Sequence, residues 1–326
     1  MQVTRSVRAV QVPDTNPMHP QYTTIYLVGR GQTLTIDSGE DVDRYRWMLR
    51  GYLAAVEHAE IGISCVTHHH ADHSANLRWL RDEFGADVRV LEQGIPLLRD
   101  RLPESGVQVI ADGAVFGPSD DVRLQAIHTP GHSADSVCYY LEEEGVLFTG
   151  DTILGASSTT INDLGAYLTS LAQLRDLPNL RIMCPGHGPV IEDPIAYIDA
   201  YISGRHARER QILDALAAQP EMTTWEIMEL IYADLNLVPR LQRAADRQVA
   251  THLRKLEKEG RIKVYPGRPR EKTAEELARD EEEEHERLEV IRRADEYREQ
   301  ARRRALFQQE NPWQEEWEVP PRYALI

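Results

Sequence analysis

Short apolar runs alternate with helical patterns over residues 1–200. The runs are rich in β-branched residues and bounded by glycine, proline or polar residues, which is typical of strands; they are TIYLV, TLTID, GISCV, VRVL, VRLQAI, VCYYL, VLFTG and RIMCP. Apolar positions three and four residues apart predict helices in DRYRWMLRGYLAAVEHA, NLRWLRDEFG and LGAYLTSLAQLRDL. Because such sheets need helices to cover them, residues 1–204 are predicted to form a mixed α/β domain.

Residues 205–267 have a different pattern. Three helical stretches are followed by the short strand-like run RIKVYPG; they are HARERQILDALAAQ, TTWEIMELIYADL and LQRAADRQVATHLRKLEKEG. Three helices and a short hairpin predict a winged helix, in which Gly260 ends the third helix.

Residues 268–326 form a charged extension. Strong helix formers with sparse apolar positions predict an exposed, charge-paired helix or a partly disordered segment. Its last residues, NPWQEEWEVPPRYALI, either dock on the body or on a second subunit, or form a frayed terminus; the apolar ones are Trp313, Trp317, Tyr323, Leu325 and Ile326. The extension is therefore a candidate strap for a homodimer.

The composition is that of a folded chain with an acidic charge balance. Hydrophobic residues make up 41% of the 326 residues and charged residues 28%, which is enough apolar material for a sizeable core. The net charge of −16 argues against indiscriminate binding to nucleic acid or anionic membranes. No apolar run is typical of a secretory signal or a membrane span, so we expect a cytoplasmic protein without a membrane partner. The cysteines lie far apart in apolar runs and are expected to be reduced and buried; they are Cys65, Cys138 and Cys184.

The segment VTHHHADHSAN places four histidines and one aspartate between an apolar run and a helical pattern. A strand-to-helix loop is therefore expected to carry His68, His70, Asp72 and His73. Alternation along an extended segment would direct His68 and His70 to one side and His69 to the other. Imidazole nitrogen and carboxylate oxygen are ligands that zinc accepts readily, and manganese or iron would also take them.

Three more candidate ligands follow predicted strands further along the chain. They lie in TPGHS, FTGDT and CPGHGP, and they are His132, Asp151 and His187. Each is flanked by glycine, and two also by proline, which suits tight turns that bring side chains to one edge of a sheet. The set of seven predicts a metal site.

These residues resemble the metallo-β-lactamase fold superfamily. HHHADH matches its H-x-H-x-D-H signature, and the three isolated ligands occur in the expected order. Over residues 1–265 the chain is also similar to the β-lactamase-like protein 2 group, in the segments GDTILGASSTTINDLGAYLTSLAQL, PGHGPVI, YISGRHARERQIL and HLRKLEKEGRI. The resemblance implies an αβ/βα four-layer sandwich, with the site at the sheet edges and a winged-helix-like tail.

The resemblance also implies a dinuclear centre holding two Zn²⁺ ions, or alternatively Mn²⁺ or iron. One ion would be held by His68, His70 and His132. The other would be held by Asp72, His73 and His187, with Asp151 bridging the two. Asp37, in TIDSGE, matches an early structural aspartate of the family, and we expect it to support the site from behind the ligands. His69 has no ligand role in this interpretation and is expected to pack or to line the entrance.

A two-metal site of this kind hydrolyses its substrate with a shared hydroxide. Two ions about 3.5–4 Å apart lower the pKa of a bridging water towards roughly 7. We expect Asp72 to be catalytic as well as a ligand, orienting that hydroxide while the metals stabilise the developing oxyanion.

The fold alone does not select the bond that is cleaved. The resemblance implies single-stranded RNA for some relatives, and this is the leading interpretation. A thioester or lactone hydrolase is the alternative, because relatives with the same tail look similar to thioesterases of carrier-bound acyl chains. Antibiotic-degrading members usually have Cys or Ser where this chain has Asp151, so a resistance role is disfavoured, although weak promiscuous β-lactam hydrolysis is compatible with the site.

Basic residues on the third tail helix bear on the RNA interpretation. Four of them fall near one helix face, where they would either contact phosphates or form an ordinary solvated face; they are Arg243, Arg247, Arg254 and Lys258. The opposite face is predicted to be core and consists of Ala245, Val249, Leu253 and Leu256. Against RNA, the body is acidic and no stacking aromatic residues adjoin the metal motif.

Two further alternatives concern the tail and one loop. A winged-helix nucleic-acid-binding regulator with a vestigial metal site is a hypothesis of another class, and the seven intact ligands speak against it. The segment GASSTTIND, residues 155–163, either faces the substrate or caps the helix that begins at Leu164, with Asp163 as its N-cap.

Overall fold

The computed structural model of the protein describes residues 1–13, 22–55, 59–271, 273 and 317–326. The described chain divides into two compact units, Met1–Ile202 and Ser203–Ile326. Most of the predicted charged extension, including Trp313, lies outside the described residues.

The first unit contains two β-sheets. The first sheet has six strands in sequence order, of which β1 to β3 are antiparallel and β3 to β6 are parallel: β1 (Val7–Pro13), β2 (Tyr22–Arg30), β3 (Gln32–Ile36), β4 (Glu60–Cys65), β5 (Asp87–Leu91) and β6 (Val107–Ile110). The second sheet has five strands in the order β11-β10-β9-β8-β7: β7 (Val115–Ser119), β8 (Val122–His128), β9 (Val137–Leu141), β10 (Val146–Gly150) and β11 (Ile182–Pro185). Only β10 and β11 pair in parallel in this sheet.

Helices cover the outer faces of the sheets. The helices of the first unit are α1 (Asp43–Ala55), α2 (Ala71–Ser74), α3 (Leu77–Phe84), α4 (Ile95–Leu98), α5 (Leu164–Arg175) and the first part of α6 (Pro194–Ala218). Tyr45 and Leu49 of α1 and Leu80 of α3 pack on the first sheet, and Leu171 of α5 packs on the second. One buried cluster joins the inner faces of both sheets. This arrangement of helix, sheet, sheet and helix confirms the predicted α/β sandwich.

Two buried tyrosines connect the sheets close to the candidate ligands. The rings of Tyr26 on β2 and Phe148 on β10 lie 5.3 Å apart between centroids. The hydroxyl of Tyr26 donates to the carbonyl O of Pro185 at 2.8 Å, and that of Tyr139 donates to the carbonyl O of Val66 at 2.8 Å. These bonds satisfy buried carbonyl groups where β11 ends and where the histidine segment begins.

The three cysteines are buried with free thiols, as predicted. Burial raises the pKa of Cys138 to about 11, and it raises the pKa of Cys65 and Cys184 further. Neutral thiols of this kind act as small apolar core residues.

The second unit is a winged helix, as predicted. The predicted short hairpin was wrong, because the strands within residues 262–269 pair with residues 317–325 and not with each other. It contains the rest of α6, followed by α7 (Thr224–Ile231), α8 (Pro239–Lys258) and the wing strands β12 (Ile262–Tyr265) and β13 (Arg268–Pro269). The predicted boundary between residues 204 and 205 lies inside α6, two residues after the division between the two units, and the helix continues through Ser203 and Gly204.

The last residues of the chain pair with the wing. β14 (Trp317–Val319) is antiparallel to β13, and β15 (Arg322–Leu325) is antiparallel to β12. Tyr323 also exchanges two backbone hydrogen bonds with Met222, at 2.8 and 3.0 Å. The terminal segment therefore belongs to the winged-helix unit of its own chain, whereas the homodimer through the extension stays a prediction.

In the described residues, every helix is too short or too polar to cross a membrane.

A buried histidine in α8 links the stability of the second unit to pH. The side chain of His252 is 1% exposed, and neither ring nitrogen has a hydrogen-bond partner among the described residues. Burial lowers its pKa to about 4, and the positive charges of Arg205, Arg208 and Lys255 act in the same direction against the opposing effect of Glu209.

We expect acid to destabilise the second unit through His252. The unfolded chain binds a proton near the ordinary pKa of 6.5 and the folded chain only near 4, so stability falls as the pH drops from 6.5 to 4, by about 2 kcal/mol at pH 5. Urea unfolding at pH 7 and pH 5 would show this loss in the wild type and in the variant of the exposed His206, His206→Leu, but not in His252→Leu. Equal losses in all three proteins would contradict the prediction.

Candidate metal centre

The histidine segment leaves β4 and turns into the single-turn helix α2. His68 and His70 lie in the connection, whereas Asp72 and His73 lie in α2. The hydroxyl of Ser74 donates to the carbonyl O of His70 at 2.8 Å, which helps to close this tight turn.

The other three candidate ligands each follow the end of a strand of the second sheet. His132 lies in the connection from β8 to β9, Asp151 directly follows β10, and His187 follows β11. The structure brings all seven candidates together in two groups, and the ligand atoms within each group lie within 4.8 Å of one another: His68, His70, His132 and Asp151 in the first, and Asp72, His73 and His187 in the second.

Two glycines allow the ligand turns to pack this closely. A Cβ atom at Gly186 would lie 2.5 Å from the ring of His73 and 3.0 Å from Oδ1 of Asp151. At Gly131, which has a φ of 145°, a Cβ atom would lie 2.6 Å from the Cα of Tyr167. Gly186 is therefore required by space, and Gly131 by space as well as by backbone conformation.

In the first group, three ring nitrogens converge. Nδ1 of His70 lies 2.8 Å from Nε2 of His68 and 3.1 Å from Nε2 of His132. A tetrahedral zinc ion with Zn–N bonds of about 2.0–2.1 Å holds its nitrogens about 3.3 Å apart, so the observed spacing is close to that of a ligand set.

The second group mixes a carboxylate with two imidazoles. Oδ2 of Asp72 lies 3.0 Å from Nε2 of His187 and 3.2 Å from Nε2 of His73. The two Nε2 atoms are 3.3 Å apart. These donors also fit a divalent cation.

Asp151 faces both groups. Its Oδ1 lies 3.3 Å from Nε2 of His73 and 3.4 Å from Nε2 of His187, and its Oδ2 lies 3.9 Å from Nε2 of His132. Among the described residues, no donor completes a hydrogen bond of normal geometry to the buried Oδ1. A buried carboxylate oxygen in this situation fits a cation as its partner.

Asp37 holds His73 from behind. Nδ1 of His73 donates to Oδ2 of Asp37 at 2.6 Å, which orients the ring so that Nε2 faces the cluster. The Thr67 backbone N–H donates to Oδ1 of Asp37 at 2.7 Å, and the Thr67 hydroxyl donates to Oδ2 at 3.0 Å. Asp37 has a φ of 66°, an uncommon backbone conformation for an aspartate, and hydrogen bonds to both carboxylate oxygens hold its side chain in place.

The segment 155–163 supports His132. Nδ1 of His132 donates to the carbonyl O of Thr160 at 2.8 Å, and Nδ2 of Asn162 donates to the carbonyl O of His132 at 2.7 Å. Asp163 accepts from the backbone N–H of Ala166 at 3.0 Å, which confirms it as the N-cap of α5. The segment therefore has a structural function, because its hydrogen bonds hold the loop that carries His132.

Burial and neighbouring charges set the protonation of the site. Burial lowers the pKa of His68 well below its ordinary value and that of His70 to about 4, so both present lone pairs at neutral pH. Burial also disfavours charge on His73, but the carboxylates around it raise its pKa well above the ordinary value. Burial would raise the pKa of Asp151, yet His187 and His73 hold it well below its usual range, so it stays ionised.

The contacts of three side chains beside the site were not predicted from the sequence; they are His69, Arg101 and Asp135. Nδ1 of His69 lies 2.8 Å from Oδ1 of Asp135, and Nη1 of Arg101 donates to the carbonyl O of His69 and, at 2.9 Å, to the hydroxyl of Ser74. The position of Asp135 three residues after His132 was the available signal.

The predicted basic face is on α8, in the second unit. Arg247, Arg254 and Lys258 are exposed and Arg243 is half-buried. At 100° per residue the four lie within about 60° of one another around the helix. The predicted core face is confirmed, because its four residues are buried: Ala245, Val249, Leu253 and Leu256.

Comparison with known proteins identifies the family. Residues 19–187 match the family model described as the metallo-β-lactamase superfamily, and residues 223–268 match the β-lactamase-associated winged helix domain. The chain belongs to the metallo-β-lactamase superfamily. It is therefore an enzyme of a metal-dependent hydrolase family, and its His/Asp clusters could hold divalent metal.

Relatives of this superfamily member include proteins from animals and fungi. The chain is 35% identical to a β-lactamase-like protein 2 homolog of Caenorhabditis elegans over 254 residues, covering 75% of this chain and 81% of the relative. It is 39% identical to an atrochrysone carboxyl ACP thioesterase of Aspergillus fumigatus over 215 residues, covering 65% of each.

Solved structures share the fold. A metallo-β-lactamase family protein from Thermus thermophilus superimposes with a TM-score of 0.66 at 23% identity, covering 81% of this chain and 97% of that one. A β-lactamase domain protein from Burkholderia ambifaria gives a TM-score of 0.70 at 18% identity, covering 81% of this chain and 89% of that one.

We expect Asp37→Asn to weaken metal binding. The substitution removes the negative charge behind His73 with little change in size, and loss of such a supporting partner typically costs about 10–100-fold in metal affinity. Competition with a chromogenic zinc chelator would measure the change. Asp112→Asn is the matched control, because Asp112 accepts a hydrogen bond from the backbone N–H of His128 away from the ligands. Equal affinities in both variants would exclude the supporting role.

Proposed function

We propose that the chain is a dinuclear zinc-dependent hydrolase that cleaves acyl thioesters or lactones. The observation that carries the proposal is the pair of ligand groups with the ionised Asp151 between them. His68, His70 and His132 would hold one ion, Asp72, His73 and His187 the other, and Asp151 would contact both. The donors are imidazole nitrogens and carboxylate oxygens without a thiolate, which suits zinc and also admits manganese or iron.

Bound metal would supply a Lewis acid and a water of lowered pKa. The residues of the chain orient the reactants around it. Asp72 is 7% exposed and its Oδ2 is already directed at His73 and His187, so its carboxylate is the proposed acceptor of a hydrogen bond from the attacking water. Its burial and the short helix α2 restrict it to a narrow range of orientations.

Two observations favour an acyl substrate. A relative 39% identical to this chain is named as a thioesterase of an acyl carrier protein. The net charge of −16 disfavours a polyanionic substrate, whereas hydrolysis of an acyl group does not require a basic surface. Weak β-lactam hydrolysis is compatible with the same chemistry.

Single-stranded RNA is the second candidate, and it was the leading interpretation of the sequence. The basic face of α8 favours it, because Arg247, Arg254 and Lys258 are exposed on one side of a helix. The relative named β-lactamase-like protein 2 homolog carries no substrate in its name, so it does not distinguish RNA from acyl compounds.

We expect zinc-loaded protein to hydrolyse short-chain acyl thioesters, with thiol release followed by absorbance. His70→Ala and Asp72→Asn would each lower kcat/KM at least about 1,000-fold, because the first removes a central ligand and the second weakens both metal binding and water orientation. His206→Ala, at an exposed position on α6, is the control and would keep wild-type activity.

The same preparations would be incubated with end-labelled single-stranded RNA. RNA cleavage by the wild type alone, without thioester turnover, would replace the acyl proposal by the RNA one. Turnover of either substrate by His70→Ala at the wild-type rate would exclude this site as its source.

A further inference from the structure

His69 stands between two candidate ligands but is turned to a different partner. Its ring centroid lies 4.8 Å from that of His70, and its Nδ1 donates to Oδ1 of Asp135 at 2.8 Å. His69 is on the loop that carries His68 and His70, whereas Asp135 is on the loop that carries His132. This hydrogen bond therefore connects two loops through residues that are 66 positions apart in the chain.

Asp135 is built into its loop. It is 1% exposed, and the hydroxyl of Ser133 donates to the same Oδ1 at 2.7 Å. Its Oδ2 has no hydrogen-bond partner among the described residues and lies close to Gly94, where a Cβ atom would be 3.3 Å away. A buried carboxylate is costly without donors, so this side chain depends on His69 and Ser133 for its position.

His69 is also fixed through its backbone. Nη1 of Arg101 donates to the carbonyl O of His69 and, at 2.9 Å, to the hydroxyl of Ser74. The ring of His69 is 29% exposed, and the bond to Asp135 holds its Nδ1. Because both its backbone and its ring are held, a shift of Asp135 would move His69 and, with it, the neighbouring ligands His68 and His70.

We propose that His69 and Asp135 are positioning residues that brace the two loops and set the spacing of His68, His70 and His132. The brace rests on the proposed metal centre and extends it. The bond joins the two loops that supply the histidines of the first group, whereas the ligands of the second group lie in α2 and after β11. Loss of the brace therefore weakens the first metal position selectively.

The test is a zinc titration of the full chain with His69→Ala, against a chromogenic chelator that resolves two binding events. We expect the affinity of one ion to fall about 10-fold or more, as for other partners that orient ligands, and that of the second ion to stay within about twofold. With Co²⁺ in place of zinc, the visible absorption bands of one ion should change while those of the other persist.

Two variants separate the brace from a general structural effect. His69→Asn is the conservative variant, because its amide nitrogen is placed much like Nδ1 of histidine and can still donate to Asp135, and it should restore the affinity. His128→Ala is the matched control, since Nε2 of His128 donates at 2.9 Å to the carbonyl O of Ala134 in the same loop without joining the ligand loops. It should leave both affinities unchanged.

A double-mutant cycle identifies the bond itself. Asp135→Ala should weaken the same ion as His69→Ala, and the double variant should lose little more than either single variant, because both remove one interaction. Unchanged affinities in His69→Ala, or equal weakening of both ions with a lowered Tm, would overturn the brace alone. A wild-type chain that binds no zinc would overturn the metal centre as well, and absent thioester turnover with normal zinc binding would overturn only the acyl substrate.

Discussion

The structure has to hold seven lone-pair donors within a few ångströms of one another in a mostly buried space. None of these side chains gains from burial on its own, because each must give up water and face neighbours that also offer lone pairs. Charge makes part of the arrangement tolerable: the ionised Asp151 lies beside the imidazoles of His73 and His187, which holds its pKa low and raises that of His73. Hydrogen bonds with the groups behind the ligands also offset the cost of burying these side chains.

Those groups act in the same way. Each accepts a hydrogen bond from Nδ1 of a histidine, which directs Nε2 of the same ring towards the metal centre. Asp37 does this for His73, and the carbonyl O of Thr160 does it for His132. The sandwich supplies the rigidity, since the loops leave strands whose side chains interlock between two sheets. Site and fold therefore depend on each other: the sheets fix where the loops start, and hydrogen bonds between loops fix where they go.

Much of the fold and the candidate ligand set could be predicted from the sequence, because both depend on patterns within short stretches of the chain. Strands such as TIYLV and VCYYL have the apolar, β-branched or aromatic composition of buried strands, and HHHADH carries its spacing within six residues. Asp135 was not predicted to support the site, because its hydrogen-bond partner, the ring of His69, lies 66 residues away in the sequence. The first part of α6 was not predicted, because Ser203 and Gly204 are typical of a turn although the helix runs through them. The pairing of Tyr323 with the wing was undetermined, because short terminal strands carry little pattern of their own.

The pairing of β15 with β12 has a consequence for how the protein is made. Chains emerge from the ribosome N-terminus first, and domains tend to fold in that order. The strands of the first unit all precede Ser203 in the chain, whereas the winged helix pairs Ile262–Tyr265 with Arg322–Leu325, which follow much later in the sequence. During synthesis β12 therefore emerges well before its partner β15, so the second unit can reach its full architecture only after the first unit has all its strands.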